Sequence, residues 1–311
     1  MQTTVKLFTF LCLIFTIIGS KNSKGQVSSK IAHSPNYIDS ITTTDEILLL
    51  IGKLDSKFKN FTPLSKISDL SAFCNNNLKN YHLKDWTKVD FDHNGLTDII
   101  IVGKSNAVRA ICILDLGESF QLEPLSFGYS ECIGVDVVKD KVRCRILDSR
   151  KKAATTTVMP DTRYLVYKYG GFIIENTSPA AHRIEKITYS TTWCYGTCPI
   201  FEISIDNKRN ATFNAIKDNI IDQQTISGNY HTVITELKYK QLNDLLNYIN
   251  FEKLDAAYTP NLKDAQRATL TITYNNGKVK TITDTGLKGN HSLMLVHRLL
   301  FDLRKNQKWI N

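Results

Sequence analysis

The residues of this chain whose types and spacing could do chemistry lie in two short segments. The first is Trp193-Cys194-Tyr195-Gly196-Thr197-Cys198-Pro199, two cysteines around a glycine. Residues four apart on an extended strand are too distant for a disulfide, whereas a turn at Gly196 brings the two Cα atoms into the bonding window of about 4.4 to 6.8 Å. Three chemistries are open to such a pair: a structural disulfide, a thiol–disulfide redox couple, or part of a thiolate metal site. A redox couple is favoured by the ease with which short strained disulfides are reduced. Against it stand the missing two-residue spacing of thioredoxin-like motifs and the lack of a nearby helix start to lower a thiol pKa. A metal site needs further ligands, and no histidine lies in the motif. Cys194 and Cys198 are therefore expected to form a structural disulfide, with redox activity as the alternative.

The second segment is Asp90-Phe91-Asp92-His93-Asn94-Gly95-Leu96-Thr97-Asp98. Side-chain oxygens at Asp90, Asp92, Asn94 and Asp98, with the Leu96 carbonyl between, follow the first nine positions of a calcium loop, and Gly95 occupies its bend. Ile101 stands where an EF-hand has its bidentate glutamate, and Ile99-Ile100-Ile101-Val102 continues as an apolar strand. This combination resembles the single calcium turn of FG-GAP or VCBS-type repeats, which implies calcium as a cofactor. Without the bidentate acid the affinity should be millimolar, as in extracellular modules. The bland alternative is a tight Asn-Gly turn. No second copy recurs at a fixed period, so a complete propeller is not expected.

Compartment decides what the cysteines can do. Lys6 followed by the apolar run of residues 7–18, then small residues at Gly19, Ser20, Ser23 and Gly25, is the pattern of a cleaved signal peptide over residues 1–25. The run is too short to span a bilayer comfortably, and no other segment approaches that length, so a secreted or periplasmic product without a transmembrane segment is expected. The formal charge of +9 falls to about +6 when the leader's three lysines are removed. No basic stripe with interleaved aromatics accompanies it, and the tight group Arg304, Lys305 and Lys308 is read as solvated surface, so nucleic acid is not an expected partner. Six cysteines remain after Cys12 is lost. Cys74, Cys112, Cys132 and Cys144 lie in the first half and suit disulfides within it, in any of three pairings, although Cys112 in Ala110-Ile111-Cys112-Ile113 also suits a buried free thiol.

The elements that must hold these segments follow from periodicity. Thr43 and Glu46 form a capping box before Ile47-Leu48-Leu49-Leu50-Ile51, and a second helix is predicted from Ser68 through Leu78. Period-two strands then pair as hairpins over residues 98–103 with 108–115, 132–138 with 141–148, and 162–168 with 172–176. A linker at 178–184 separates an N-terminal domain, 40–177, from a C-terminal domain, 185–311. In the latter, strands are predicted at 187–189, 200–205, 211–216, 230–234, 267–274 and 278–284. Helices follow Leu242, Leu245, Leu246 and Ile249, and Leu293, Val296, Leu299, Leu300 and Leu303. The fold class is α+β, each domain an antiparallel sheet of hairpins packed with two helices.

Residues 187–309 resemble an uncharacterised C-terminal domain family of secreted bacterial proteins with a C-x-G-x-C-P signature, here Cys194-Tyr195-Gly196-Thr197-Cys198-Pro199. The resemblance implies an exported context and no activity. Catalytic motifs such as G-x-S-x-G, H-E-x-x-H and C-x-x-C are missing from the sequence. His291 and His297 are six apart on one helix and should face different ways. Asp264 and Asp284 are taken as solvated loop ends rather than a carboxylate pair. The function expected is a non-enzymatic binding or structural module with no catalytic residue assigned.

Overall fold

A computed structural model describes residues 37–66, 84–104, 108–125, 132–139, 141–147, 161–259 and 262–311. The expected signal peptide of residues 1–25, the helix expected from Ser68, Cys74 and the Cys132 side chain lie outside the described residues. After a single turn at Tyr37–Ser40 comes helix α1 (Thr44–Leu54), started by the predicted capping box: Thr43 Oγ1 accepts from Glu46 N, and the Glu46 carboxylate accepts from Thr43 N. A first sheet contains β1 (Thr62–Pro63), β2 (Trp86–Val89), β3 (Asp98–Lys104), β4 (Val108–Asp115) and β5 (Phe120–Leu125), in the order β1-β3-β4-β5 with β2 also on β3. A second holds β6 (Cys132–Val138), β7 (Lys141–Leu147), β8 (Asp161–Lys168) and β9 (Gly171–Ile174) in sequence order.

One sheet was expected in this half and two are found. The cause is written in Ile99-Ile100-Ile101-Val102, which is apolar at every position instead of alternating. Ile99, Ile101, Ile111 and Ile113 pack on Ile47, Leu50, Ile51 and Leu54 of α1. The opposite face, Ile100, Val102, Ala110, Cys112 and Leu114, needs its own cover, and Val135, Val142, Cys144, Leu165 and Phe172 of the second sheet supply it. A strand buried on both faces reads as a continuous apolar run. Cys112 and Cys144 are free thiols in that layer, so the expected disulfide pairing does not apply to them. Burial raises both thiol pKa values and keeps them inert.

The third sheet contains β10 (Ile184–Thr191), β11 (Ile200–Asp206), β12 (Asn210–Ile221), β13 (Gln224–Val233), β14 (Ala257–Tyr258), β15 (Arg267–Tyr274) and β16 (Lys278–Thr285), ordered β13-β12-β11-β10-β15-β16-β14. It is antiparallel except for the two-residue β14–β16 pair. Helices α2 (Glu236–Tyr248) and α3 (His291–Asn306) close its apolar face, where Tyr189, Phe201, Phe213, Leu270 and Ile272 meet Leu242, Leu245, Leu246, Val296 and Leu300. Arg304 belongs to this layer rather than to the solvated surface: it is buried over the Phe201 and Phe301 rings, and burial lowers its pKa to about 10. No helix among the described residues is long and apolar enough to cross a membrane. The strands are in mixed company overall, α+β with several antiparallel sheets and few helices.

Candidate functional site

The acidic loop connects β2 to β3, and its carboxylates turn inward because the loop's own N–H groups draw them in. Asp90 Oδ1 and Oδ2 accept from Asn94 N at 3.2 Å and Gly95 N at 3.0 Å, and Asp92 Oδ1 accepts from Asn94 N at 3.1 Å. Asp98, first residue of β3 and fully buried, receives Asp115 N on one oxygen and Phe91 N on the other, both at 2.8 Å. It thereby ties the loop to the start of the β4–β5 turn. Oxygens of Asp90, Asp92 and Asp98 lie within 4.8 Å of one another, the one such cluster of potential metal ligands among the described residues. Burial pushes the Asp98 carboxyl up to about 7, with the charges of Asp92 and Asp90 adding to it and the two N–H donors opposing. Burial likewise raises Asp92. The side chain of Asn94 is engaged locally: its oxygen accepts from Leu96 N, and its amide donates to Asp92 and to the Asp115 carbonyl.

At the second segment, Cys194 and Cys198 are joined by a disulfide with Cα atoms 5.7 Å apart. Gly196 has φ +120°, a conformation that side chains with a Cβ rarely adopt, so the turn requires glycine there. The disulfide is not alone in shaping the loop. Gln266 Nε2 donates to Thr192 O at 3.1 Å and to Pro199 O at 2.8 Å, bracing the two legs against each other. Thr191 Oγ1 donates to Pro199 O, and Tyr195 N to Asp264 O. Gln266 carries no motif, and sequence spacing offers no signal for it.

A third cluster was missed. Asp284, taken from sequence as a solvated loop end, is fully buried on β16 and accepts from His297 Nε2 at 3.0 Å and from Gly289 N. His297 Nδ1 lies 2.9 Å from the Tyr189 hydroxyl. Burial raises the Tyr189 pKa well above its ordinary value, so the phenol keeps its proton and donates to Nδ1, leaving the Nε2 proton for Asp284. His291, as its spacing predicted, faces elsewhere, with Nε2 at 3.1 Å from the Phe172 carbonyl. The Asp284–His297–Tyr189 chain has the residue types of an acid–base relay. It is closed off from solvent and its polar atoms are matched, so its evident role is to specify how α3 seats on the sheet.

Residues 185–304 match the family model described as Domain of unknown function (DUF6438). The DUF6438 match therefore runs from β10 into α3 and takes in the disulfide turn, Gln266 and the buried Asp284–His297–Tyr189 chain. The acidic loop lies outside it. No curated protein matches the chain.

Proposed function

We propose that the protein is an exported binding and structural module, not an enzyme, in which calcium stiffens the 90–98 loop of an N-terminal domain and the Cys194–Cys198 clamp shapes a surface of the C-terminal one. On this reading residues 1–25 are a cleaved signal peptide, 40–177 and 185–311 are the two domains, and the product is secreted or periplasmic. The observation that carries it is the convergence of Asp90, Asp92 and Asp98 within 4.8 Å. When ionised, carboxylates so placed repel by roughly 3 kcal/mol per pair at an effective dielectric of 20, which a hard divalent cation would relieve. Each oxygen that accepts one N–H retains a second lone pair for a cation, so the donor set fits. Asp90, Asp92, Asp98, the Asn94 side chain and the Leu96 carbonyl are the ligands proposed. A disulfide in the second half is what an oxidising compartment permits.

Calorimetric titration of the full mature chain with calcium tests the proposal. Heat saturating with a dissociation constant of about 0.1 to 1 mM, and a melting temperature raised by a few °C at 5 mM calcium, are expected. No heat and no shift at that concentration would reduce the segment to a turn.

A further inference from the structure

Beside the clamp lies a cleft of about 300 Å³ lined by Thr192, Trp193, Asp264, Ala265, Arg267 and Thr285. Three of its properties decide what it suits. Trp193, in its lining, is 63% exposed, and Tyr195, outside the lining but two residues along the same turn, is 89% exposed. Large aromatic rings left facing water on a turn braced by a disulfide and by Gln266 are pre-organised platforms, not loose ends. Much of the backbone around the cleft is already paired: Thr192 N donates to Arg267 O, Tyr195 N to Asp264 O, and Gly286 N to Gln266 O. An extended peptide recognised by strand addition would find no free edge there. What remains for a ligand is side-chain chemistry. Among the described residues, the Asp264 carboxylate and the Arg267 guanidinium make neither an ion pair with each other nor a hydrogen bond elsewhere. One acid and one base lining the same cleft offer acceptors and donors with almost no net charge, which suits neither an anion nor a cation.

A neutral ring carrying hydroxyl groups on its rim and C–H bonds on its face meets all three conditions. We propose that this cleft binds a carbohydrate chain, one sugar stacking on Trp193 with its hydroxyls held by Asp264, Arg267 and Thr285, and the next passing Tyr195. The proposal rests on the binding-module reading above and names its ligand class.

The test uses the full mature chain with three neutral probes, cellohexaose, maltohexaose and N-acetylchitohexaose, each titrated by calorimetry up to 10 mM in calcium and again in EDTA. At least one is expected to bind with a dissociation constant of about 0.1 to 1 mM, the range an open cleft with few buried anchors reaches. Trp193→Ala should weaken it at least tenfold and Asp264→Asn about threefold to tenfold, while Trp193→Phe, which keeps a stacking face, stays within threefold of the parent. Trp193 is exposed, so its loss should leave the melting temperature unchanged and the variant folded. Absence of binding by all three probes, with or without binding of a mixed-charge hexapeptide, or sugar binding unaltered in Trp193→Ala would overturn the assignment. The calcium titration of the same samples reports separately on the acidic loop, so either idea can fail alone.

Discussion

At the scale of single residues, the acidic loop divides two roles between its aspartates. Asp98 is a structural acceptor whatever else it binds, because removing its side chain strands the buried N–H groups of Phe91 and Asp115. Each stranded donor costs about 1 to 3 kcal/mol, offset in part by the loss of a carboxylate that burial disfavours when ionised. Asp98→Ala should therefore lose about 2 kcal/mol of stability in EDTA, measured by urea denaturation. Asp92 is partly exposed, and its contacts run to Asn94 within the loop. Asp92→Asn should cost under about 1 kcal/mol in EDTA, since the amide oxygen can still accept, yet abolish the calcium-dependent rise in melting temperature. A calcium response that survives Asp92→Asn would remove that residue from the ligand set.

At the scale of elements, the disulfide turn is expected to be a clamp that can be opened without unfolding the sheet. The loop it closes is so short that the entropic contribution is about 2 kcal/mol, and Gln266 and Thr191 hold the same legs by hydrogen bonds. Replacing both cysteines, Cys194→Ser with Cys198→Ser, should lower stability by about 1 to 2 kcal/mol and leave the far-ultraviolet circular dichroism unchanged. A reduction potential below about −300 mV for the parent pair would accord with the clamp, whereas a value near −200 mV would reinstate the redox alternative. This turn was legible in sequence because glycine, proline and two cysteines state its geometry in a few adjacent residues. So were the hairpins at 139–140, 170–171 and 275–277, and both long helices of the second half. Strand β5 was not, since Glu123 and Pro124 spoil its pattern; it is tolerated because β5 is the edge of its sheet, where a missing N–H breaks no ladder. Nor could periodicity say what covers an apolar face: Ile100 and Val102 announced burial, while the second sheet that buries them was a matter of tertiary packing. The same holds for Asp284, whose burial depends on His297 thirteen residues away and Tyr189 on another strand.

At the scale of the whole molecule, the two halves meet through apolar packing around Ile173 and through a polar joint that no local pattern encodes. Arg298 of α3 reaches both carboxylate oxygens of Glu123 on β5, at 2.6 and 2.7 Å, and the carbonyl of Gly170 at 2.7 Å. Ser292 Oγ accepts from Ile174 N, and Asn176 N donates to the Tyr248 hydroxyl. Gly171 permits the approach, because a Cβ there would lie 2.3 Å from Arg298 Nη2 and 3.0 Å from Leu295 Cδ1. Glu123 is nearly buried and ion-paired with the guanidinium, and breaking such a pair from one side costs about 3 to 5 kcal/mol. Arg298→Met should lower stability by about that much, and Gly171→Ala, which displaces the guanidinium by crowding, by about 2 to 3 kcal/mol. In both variants the urea transitions followed by fluorescence and by circular dichroism should separate, where the parent shows one coincident transition, because the joint couples β5 and β9 to α3 beside the apolar packing of Ile173. The double variant Glu123→Gln with Arg298→Met removes the carboxylate charge along with the guanidinium it pairs with and should recover at least 1 kcal/mol relative to Arg298→Met alone. If Arg298→Met changes stability by less than 0.5 kcal/mol, or the double variant recovers nothing, the joint is ordinary surface contact and the halves fold as independent units.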